Sequence, residues 1–358
     1  MSRRTTEISG LRARLLRVPL SRPWGPDVPA VHVIATTVTL TDGAEGHGLT
    51  WTPSIGAHAA LALLEHDIAD AARGRTADPE AVWQPLWEHL HEAGGGGLTT
   101  IALAGLDLAL WDAAARRAGR SVSGLLGRRR SSVAAYGSGV NLHYPLAELC
   151  AQVERWVAAG FDAVKIKVGG PDLAEDVRRV AAVRAILGPT RRLMLDANQR
   201  WDLDRATAAL DALSGYAPAW IEEPLRAEDL AGHAELARRT RIPLAVGENL
   251  HTEHRFAEYL RAGAAHVVQP NVVRVGGITP FRRIARLARE HGVALHPHLL
   301  PELSGQLALT LDAEVMVEDV EDAGFGALGA LREPSPVRID RGRLYEVDHL
   351  GLGLRFAD

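Results

Sequence analysis

Ala163-Val164-Lys165-Ile166-Lys167-Val168-Gly169 holds the only two lysines of a 358-residue chain in which every other basic side chain is arginine. Valine and isoleucine alternate with the lysines. The near-continuous apolar run predicts a strand buried in a parallel sheet, with the lysines at its end. Residues i and i+2 of a strand share a face, so the two ammonium groups are expected to lie together and to depress each other's pKa. Arginine is effectively always charged, whereas a lysine so placed can lose its proton. A solvated pair on an exposed strand is the ordinary alternative, and the apolar flanks argue against it. Lysine at this place alone points to a base.

Working outward, short apolar runs recur at 133–136, 164–168, 193–195, 220–221, 244–246, 266–268, 293–295 and near 315, with Ala/Arg/Glu-rich helical stretches between them. This is a βα repeat, which implies a parallel sheet, and eight units point to a closed (β/α)8-type α/β barrel. Ahead of it, residues 31–40 are β-rich and end at the turn Asp42-Gly43. Helical patterns follow around 59–73 and 100–118, on either side of the glycine run 94–97. The expected division is an α+β lobe over 1–130, the barrel over 131–330, and a tail over 331–358 that packs back on the first lobe. Arg128-Arg129-Arg130 reads as the loop between lobe and barrel.

Composition excludes several classes. At 47% hydrophobic, 23% charged and a formal charge of −4, the chain is an ordinary globular protein with no footprint for nucleic acid or a membrane surface. The single cysteine, Cys150, permits no intrachain disulfide and fits a reducing, cytoplasmic compartment. Two arginines near the N-terminus precede no apolar targeting segment, and no run reaches 18 uninterrupted apolar residues.

The chemistry stands where the strands end. After Lys165 and Lys167 come Asp196-Ala197-Asn198, Glu222-Glu223-Pro224, Gly247-Glu248-Asn249, Gln269-Pro270-Asn271 and His296-Pro297-His298. Barrel strand ends converge on one mouth, where such enzymes place their sites. Asp196, Glu222 and Glu248 fall 26 residues apart on successive strands. Facing one cavity they would resist joint ionisation, a conflict that a hard, oxygen-preferring ion such as Mg²⁺ resolves, with Mn²⁺ as a substitute.

The segments KIKVGG, LDANQRWD, WIEEPL, VGENL, QPNVVRVGGITPF and HPHLLPEL, with EGHGLTWTP and ALAGLDLALWDAAARRAGRSVSGLLG upstream, resemble the mandelate racemase subgroup of the enolase superfamily nearly end to end. The QPN and HPH regions look most like the galactarate and talarate dehydratases. The resemblance implies a modified (β/α)7β barrel under an α+β capping lobe, and a homo-oligomer. It implies Asp196, Glu222 and Glu248 as magnesium ligands, supported by Asn198 and Glu223. Lys167 would be the base at the carbon α to a substrate carboxylate, and Lys165 would lie against that carboxylate. His298 would act from the opposite face, and Glu318 would hydrogen-bond a carboxylate oxygen. Asn271 departs from the aspartate usual in the family beside this histidine; its side-chain oxygen can orient the imidazole but brings no charge.

The function so implied is dehydration of an acid sugar to a 2-keto-3-deoxy acid. Sugar-lactone cycloisomerisation or epimerisation is the alternative, and a non-catalytic barrel a more distant one. For the pocket, Arg22 is the candidate for a distal carboxylate, while Trp24, Trp51, His143 and His296 are candidates to line it. Closing loops are expected at 20–29 and 51–55.

Overall fold

The computed structural model describes residues 6–25 and 27–357; Arg3, Arg4, Pro26 (within the expected 20–29 closing loop) and Asp358 therefore lie outside the described residues. The chain begins with an antiparallel meander, β1 (Ile8–Pro19), β2 (Ala30–Leu40) and β3 (Glu45–Thr52). Helices α1 (Ala57–Leu63) and α2 (Ala69–Ala72) follow, joined through a π turn at Leu64–Ile68. Then come α3 (Pro79–Leu90), α4 (Leu98–Arg117) and the short α5 (Val122–Leu125). The sequence reading passed over α3, although it carries a clear start: Asp78 accepts from the Glu80 N–H and Pro79 sits in the first turn.

Helix α4 is long and apolar enough to cross a membrane, yet 89% of its apolar 18-residue window is buried. It lies in the lobe's core because the meander covers one side. A Cβ on Gly48 of β3 would stand 2.3 Å from the Gly105 carbonyl oxygen of α4, so glycine permits this close approach.

The barrel comprises β4 (Ser132–Ser138), α6 (Leu146–Ala158), β5 (Ala163–Lys167), α7 (Leu173–Leu187), β6 (Arg192–Asp196), α8 (Leu203–Leu213), β7 (Trp220–Glu222), α9 (Leu230–Arg239), β8 (Leu244–Val246), α10 (Glu253–Arg261), β9 (Val267–Val268), α11 (Ile278–Glu290), β10 (Ala294–Leu295), α12 (Pro301–Ala308) and β11 (Met316–Val320). Neighbouring strands pair in parallel from β4 to β10, and β11 closes the ring by pairing with β4. Among the described residues no helix follows β11, so the barrel is of the (β/α)7β kind that the resemblance implies rather than a full (β/α)8.

Among the described residues β10 and β11 share no backbone ladder. Two side chains span this seam instead: His296 Nδ1 accepts from the Met316 N–H (2.9 Å), and Glu318 Oε2 accepts from the Leu299 N–H (3.1 Å).

The tail divides. Strands β12 (Val337–Asp340) and β13 (Arg343–Glu346) form a hairpin whose second strand pairs with the start of β4, so this part extends the barrel sheet. Glu346 at the end of β13 accepts from Ser123 of α5 (2.7 Å), and the stretch beyond it continues along the first lobe, where the Leu352 N–H donates to Asp112 of α4 (2.7 Å). The arginine triplet clasps the barrel: Arg128 pairs with Glu346 (2.6 Å) and Arg129 with Asp312 (2.8 Å).

Lobe and barrel share one continuous apolar core running from Ile8 and Leu110 to Phe256, Phe281 and Leu303. Buried Asp107 of α4 reaches across this boundary, accepting the Thr279 N–H (3.1 Å) and hydroxyl (2.5 Å) at the first turn of α11. It thereby caps a helix of the other unit.

Candidate active site

Register sets the arrangement. Lys167 on β5 pairs with Asp196 on β6, which pairs with Glu222 on β7, so three charged groups stand side by side at one end of the sheet. Chain direction then changes sharply. Asn198, Gln199, Glu223, Leu299 and Leu300 all take positive φ, between 40° and 61°, and this uncommon backbone is concentrated just beyond the strand ends. Gly247 allows the approach of Glu248: a Cβ there would meet the Gln269 backbone at 2.7 Å.

Lys165, Lys167, Asp196, Glu222, Glu223, Glu248, Asn271, His298 and Glu318 are all buried at this end of the barrel. Lys165 Nζ lies 2.7 Å from Glu222 Oε2, 2.8 Å from Glu318 Oε1 and 3.6 Å from Asp196 Oδ2. Lys167 Nζ contacts Asp196 Oδ2, and its backbone N–H donates to Asn141 (2.9 Å). His298 Nε2 stands 2.6 Å from Glu248 Oε2 and 3.7 Å from Glu318 Oε2.

The electrostatics correct one expectation. Burial opposes the charge on both lysines, but the carboxylates outweigh it. Glu222 and Glu318 hold the Lys165 pKa well above the usual lysine value, and Asp196 raises that of Lys167 despite the neighbouring ammonium. Lys165 still lowers the Lys167 pKa, but the carboxylate that Lys167 contacts outweighs it.

Burial first, and then Asp196, pushes the Glu222 carboxyl up to about 7, and burial with Glu248 raises Glu223 well above the carboxylate range. Burial also disfavours charge at Glu318, yet Lys165, His298 and Lys167 pull it down to about 2. An ionised Glu318 only accepts hydrogen bonds, so it could bind a substrate carboxylate oxygen only after taking up a proton.

Five buried carboxylates meet two lysines and His298 in one cluster, in which burial and the neighbouring acids hold Glu222 and Glu223 above the usual carboxylate range. Within it Glu222 Oε1 has no hydrogen-bond partner among the described residues. A buried, unpartnered carboxylate oxygen between other acids is what a divalent, oxygen-preferring cation would complete. The side chains thus fit such an ion.

Ligand atoms of Glu222, Glu248 and His298 lie within 4.8 Å of one another. Asp196 stands outside that group, engaged by the lysines and by the Asn198 N–H (2.9 Å). Glu223 binds the Asn249 side chain (2.7 Å), which also donates to Glu248 (3.1 Å). Asn198 places its side chain in the open.

Three contributors have no role in the sequence reading, although Gln269 is quoted there at its strand end. Ser138, at the end of β4, donates to Glu318 (2.7 Å), and Gln269 donates to Glu222 (2.9 Å). Arg274 donates to the Glu248 carbonyl (2.9 Å). Position was the available signal for the first two, since each stands at a strand end as the recognised residues do.

Three expectations change. Asn271 does not orient His298 through its oxygen: Oδ1 accepts from the Val273 and Arg274 N–H groups (3.1 Å each), and the amide nitrogen faces His298 Nδ1 at 3.0 Å. His296 is no pocket residue. Its ring stacks on Trp220 (5.2 Å between centroids), bonds Met316 at the start of β11, and is held by burial at a pKa of about 4. It therefore belongs to the barrel interior below the mouth. Arg22 already holds a carboxylate, that of Glu148, with its guanidinium 3.5 Å over the Tyr144 ring.

His143, exposed, meets Tyr144 edge-on (4.8 Å). Trp24 packs edge-on against Trp51 (6.2 Å), which is buried in the lobe core.

Residues 148–358 match the family described as enolase C-terminal domain-like, and residues 19–127 match the mandelate racemase / muconate lactonizing enzyme N-terminal domain. The chain is 36% identical to a 3,6-anhydro-alpha-L-galactonate cycloisomerase of Streptomyces coelicolor over 92% of both proteins. It is 35% identical to the L-talarate/galactarate dehydratase of Salmonella typhimurium over 92% of this chain and 81% of that one. In structure it is similar to the L-talarate dehydratase of Polaromonas sp. JS666 complexed with Mg and L-glucarate: TM-score 0.89, 35% identity, 99% of this chain and 96% of that one covered.

Proposed function

The chain belongs to the mandelate racemase / muconate lactonizing enzyme family of the enolase superfamily, and on that premise we propose that it abstracts the proton α to the carboxylate of an acid sugar and eliminates the β oxygen as water. The observation that carries this reading is the unpartnered Glu222 Oε1 among buried acids, with both lysines of the chain in contact with the same acids.

In this reading Asp196, Glu222 and Glu248 hold Mg²⁺, with Glu223 and Asn198 in support. Bound there, the ion would supply positive charge against the dianion that forms when a carbon acid next to a carboxylate loses its proton. Lys167 is the base. Its contact with Asp196 holds its proton in this structure, and a ligand role for Asp196 would weaken that hold. Lys165 stays charged and faces the substrate carboxylate, while Glu318 fixes Lys165 and Ser138 fixes Glu318. The Cα–H electrons form the enol double bond as the Cβ–O bond breaks. The departing hydroxide takes up the proton that Lys167 has removed and leaves as water, and the enol tautomerises to a 2-keto-3-deoxy acid.

Ring opening of a cyclic acid uses the same proton removal, with a ring oxygen leaving instead of hydroxide. The similarity to a cycloisomerase over nine-tenths of the chain supports it as the second reading. The proposal includes a cytoplasmic setting, for which the single cysteine speaks, and assembly as a homo-oligomer.

Proton NMR of the Mg²⁺-loaded protein in D₂O, with a panel of mono- and diacid sugars and their lactones, tests this directly. A 2-keto-3-deoxy product establishes dehydration, and a ring-opened product establishes the second reading. Lys167→Ala should lower the rate ~10²- to 10⁴-fold, the range for a lost general base, and Glu222→Gln should abolish Mg²⁺ binding by calorimetry. Both variants should keep the native circular dichroism spectrum. A Lys167→Ala protein that turns over normally would falsify the assignment.

A further inference from the structure

His298 reaches the mouth from β10, the seventh strand of the ring, whereas Lys167 stands on β5, the second. The two side chains therefore approach the cavity from different sides. What His298 can do there depends on which ring nitrogen carries its hydrogen, and the Asn271 amide decides that.

Asn271 is fully buried. Its oxygen position is fixed independently of the histidine, because two backbone N–H groups, those of Val273 and Arg274, converge on it. The amide nitrogen must then be the atom 3.0 Å from His298 Nδ1. An amide NH₂ only donates, so this geometry makes Nδ1 an acceptor without a hydrogen, although Glu248 and Glu318 draw charge onto the ring and raise its pKa. Reversing the amide would aim its NH₂ at two N–H donors and leave both without an acceptor. With Nδ1 bare, the ring hydrogen is on Nε2, the atom that faces Glu248 and Glu318. A carboxylate at position 271 would do the reverse, binding Nδ1–H and leaving Nε2 bare to receive a proton.

We propose that Asn271 locks His298 in the Nε2–H tautomer, so that this chain has a hydrogen-bond donor and no base on the side of the mouth away from Lys167. Asn271 is a positioning residue: it touches no substrate and acts through the imidazole. The consequence, which rests on the reaction proposed above, is one-sidedness. Lys167 alone takes the α proton, so only one configuration at Cα is processed, and His298 serves the departing or developing oxygen by donation. Epimerisation needs a proton acceptor on each side and is closed to this chain.

The test separates the tautomer from the reaction. Protein labelled with ¹⁵N in its histidine rings, Mg²⁺-loaded and full length, is compared with a His298→Gln variant to assign the His298 signals. The expected spectrum has an unprotonated acceptor nitrogen at Nδ1 and a directly bonded hydrogen at Nε2. A hydrogen on Nδ1 overturns the proposal whatever the enzyme's substrate proves to be. In Asn271→Asp the tautomer should invert, and that variant should exchange deuterium into the Cα epimer that the wild type leaves untouched. Wild-type exchange into both epimers, or an Asn271→Asp ring still protonated at Nε2, also overturns it. If no acid sugar exchanges at all, the reaction proposed above fails and the ¹⁵N spectrum still decides the tautomer.

Discussion

Replacing His296 by glutamine should change how stability responds to acid. The imidazole is 6% exposed and its pKa is held near 4 by burial, against an ordinary value of 6.5. The folded state keeps it neutral while the unfolded chain takes up a proton below pH 6.5. Its stabilising contribution is therefore complete above pH 6.5 and is lost as pH falls toward 4. The whole window is worth ~3 kcal/mol at ~1.4 kcal/mol per pKa unit, of which ~2 kcal/mol falls between pH 7 and pH 5.

Glutamine can still accept the Met316 N–H through its oxygen but does not titrate. Urea unfolding of both proteins at pH 7 and pH 5 gives the double difference directly. The variant will have lost the stack on Trp220, so it starts lower at pH 7. It should then give up ~2 kcal/mol less than the wild type on acidification. An equal gap at both pH values would show that His296 titrates normally. That would refute its placement in the barrel interior.

Asp107 should show the opposite sign. Burial raises its carboxyl to about 7 although Thr279 donates to it twice, so the folded state retains a proton that the unfolded chain releases near pH 4. Stability is lost as pH rises from about 4 to about 7, by up to ~4 kcal/mol. Asp107→Asn should flatten that slope in urea unfolding, and an unchanged slope would show the carboxylate to be ionised in place. Arg22→Ala should leave the urea midpoint unchanged, because Arg22 and Glu148 are both exposed. It should raise amide hydrogen exchange in residues 20–25 and 27–29. A large loss of kcat/KM confined to diacid substrates would instead restore Arg22 as a carboxylate ligand.

The barrel was legible because its signal is periodic: apolar runs ending in polar residues recur however the helices between them vary. The acids and lysines of the mouth were legible for the same reason, since a strand end is visible in one dimension. What a side chain does at its strand end was not. His296 and His298 are two residues apart and read alike, yet one packs on Trp220 and bonds across the seam while the other enters the mouth. A sequence does not show where a short strand stops. Asn271 was visible as a departure, but the sense of its hydrogen bond depended on the Val273 and Arg274 amides, whose direction only the folded turn supplies. Arg22 carried no signal of its partner, because Glu148 lies on an element 126 residues away. The lysines' pKa direction was misjudged by counting the nearest cation and omitting the carboxylates that register places opposite.

The apolar core common to the first lobe and the barrel has a bearing on how such a chain can change over generations. A lobe that owned its core could be exchanged for a cousin's by recombination at the arginine triplet, bringing a new substrate preference with it. Here the graft would cut through packed side chains, from Ile8 and Leu110 on one side to Phe281 and Leu303 on the other, and would part Asp107 from the helix it caps. Change by point substitution around the strand ends leaves that shared core intact, whereas trading modules would cut it.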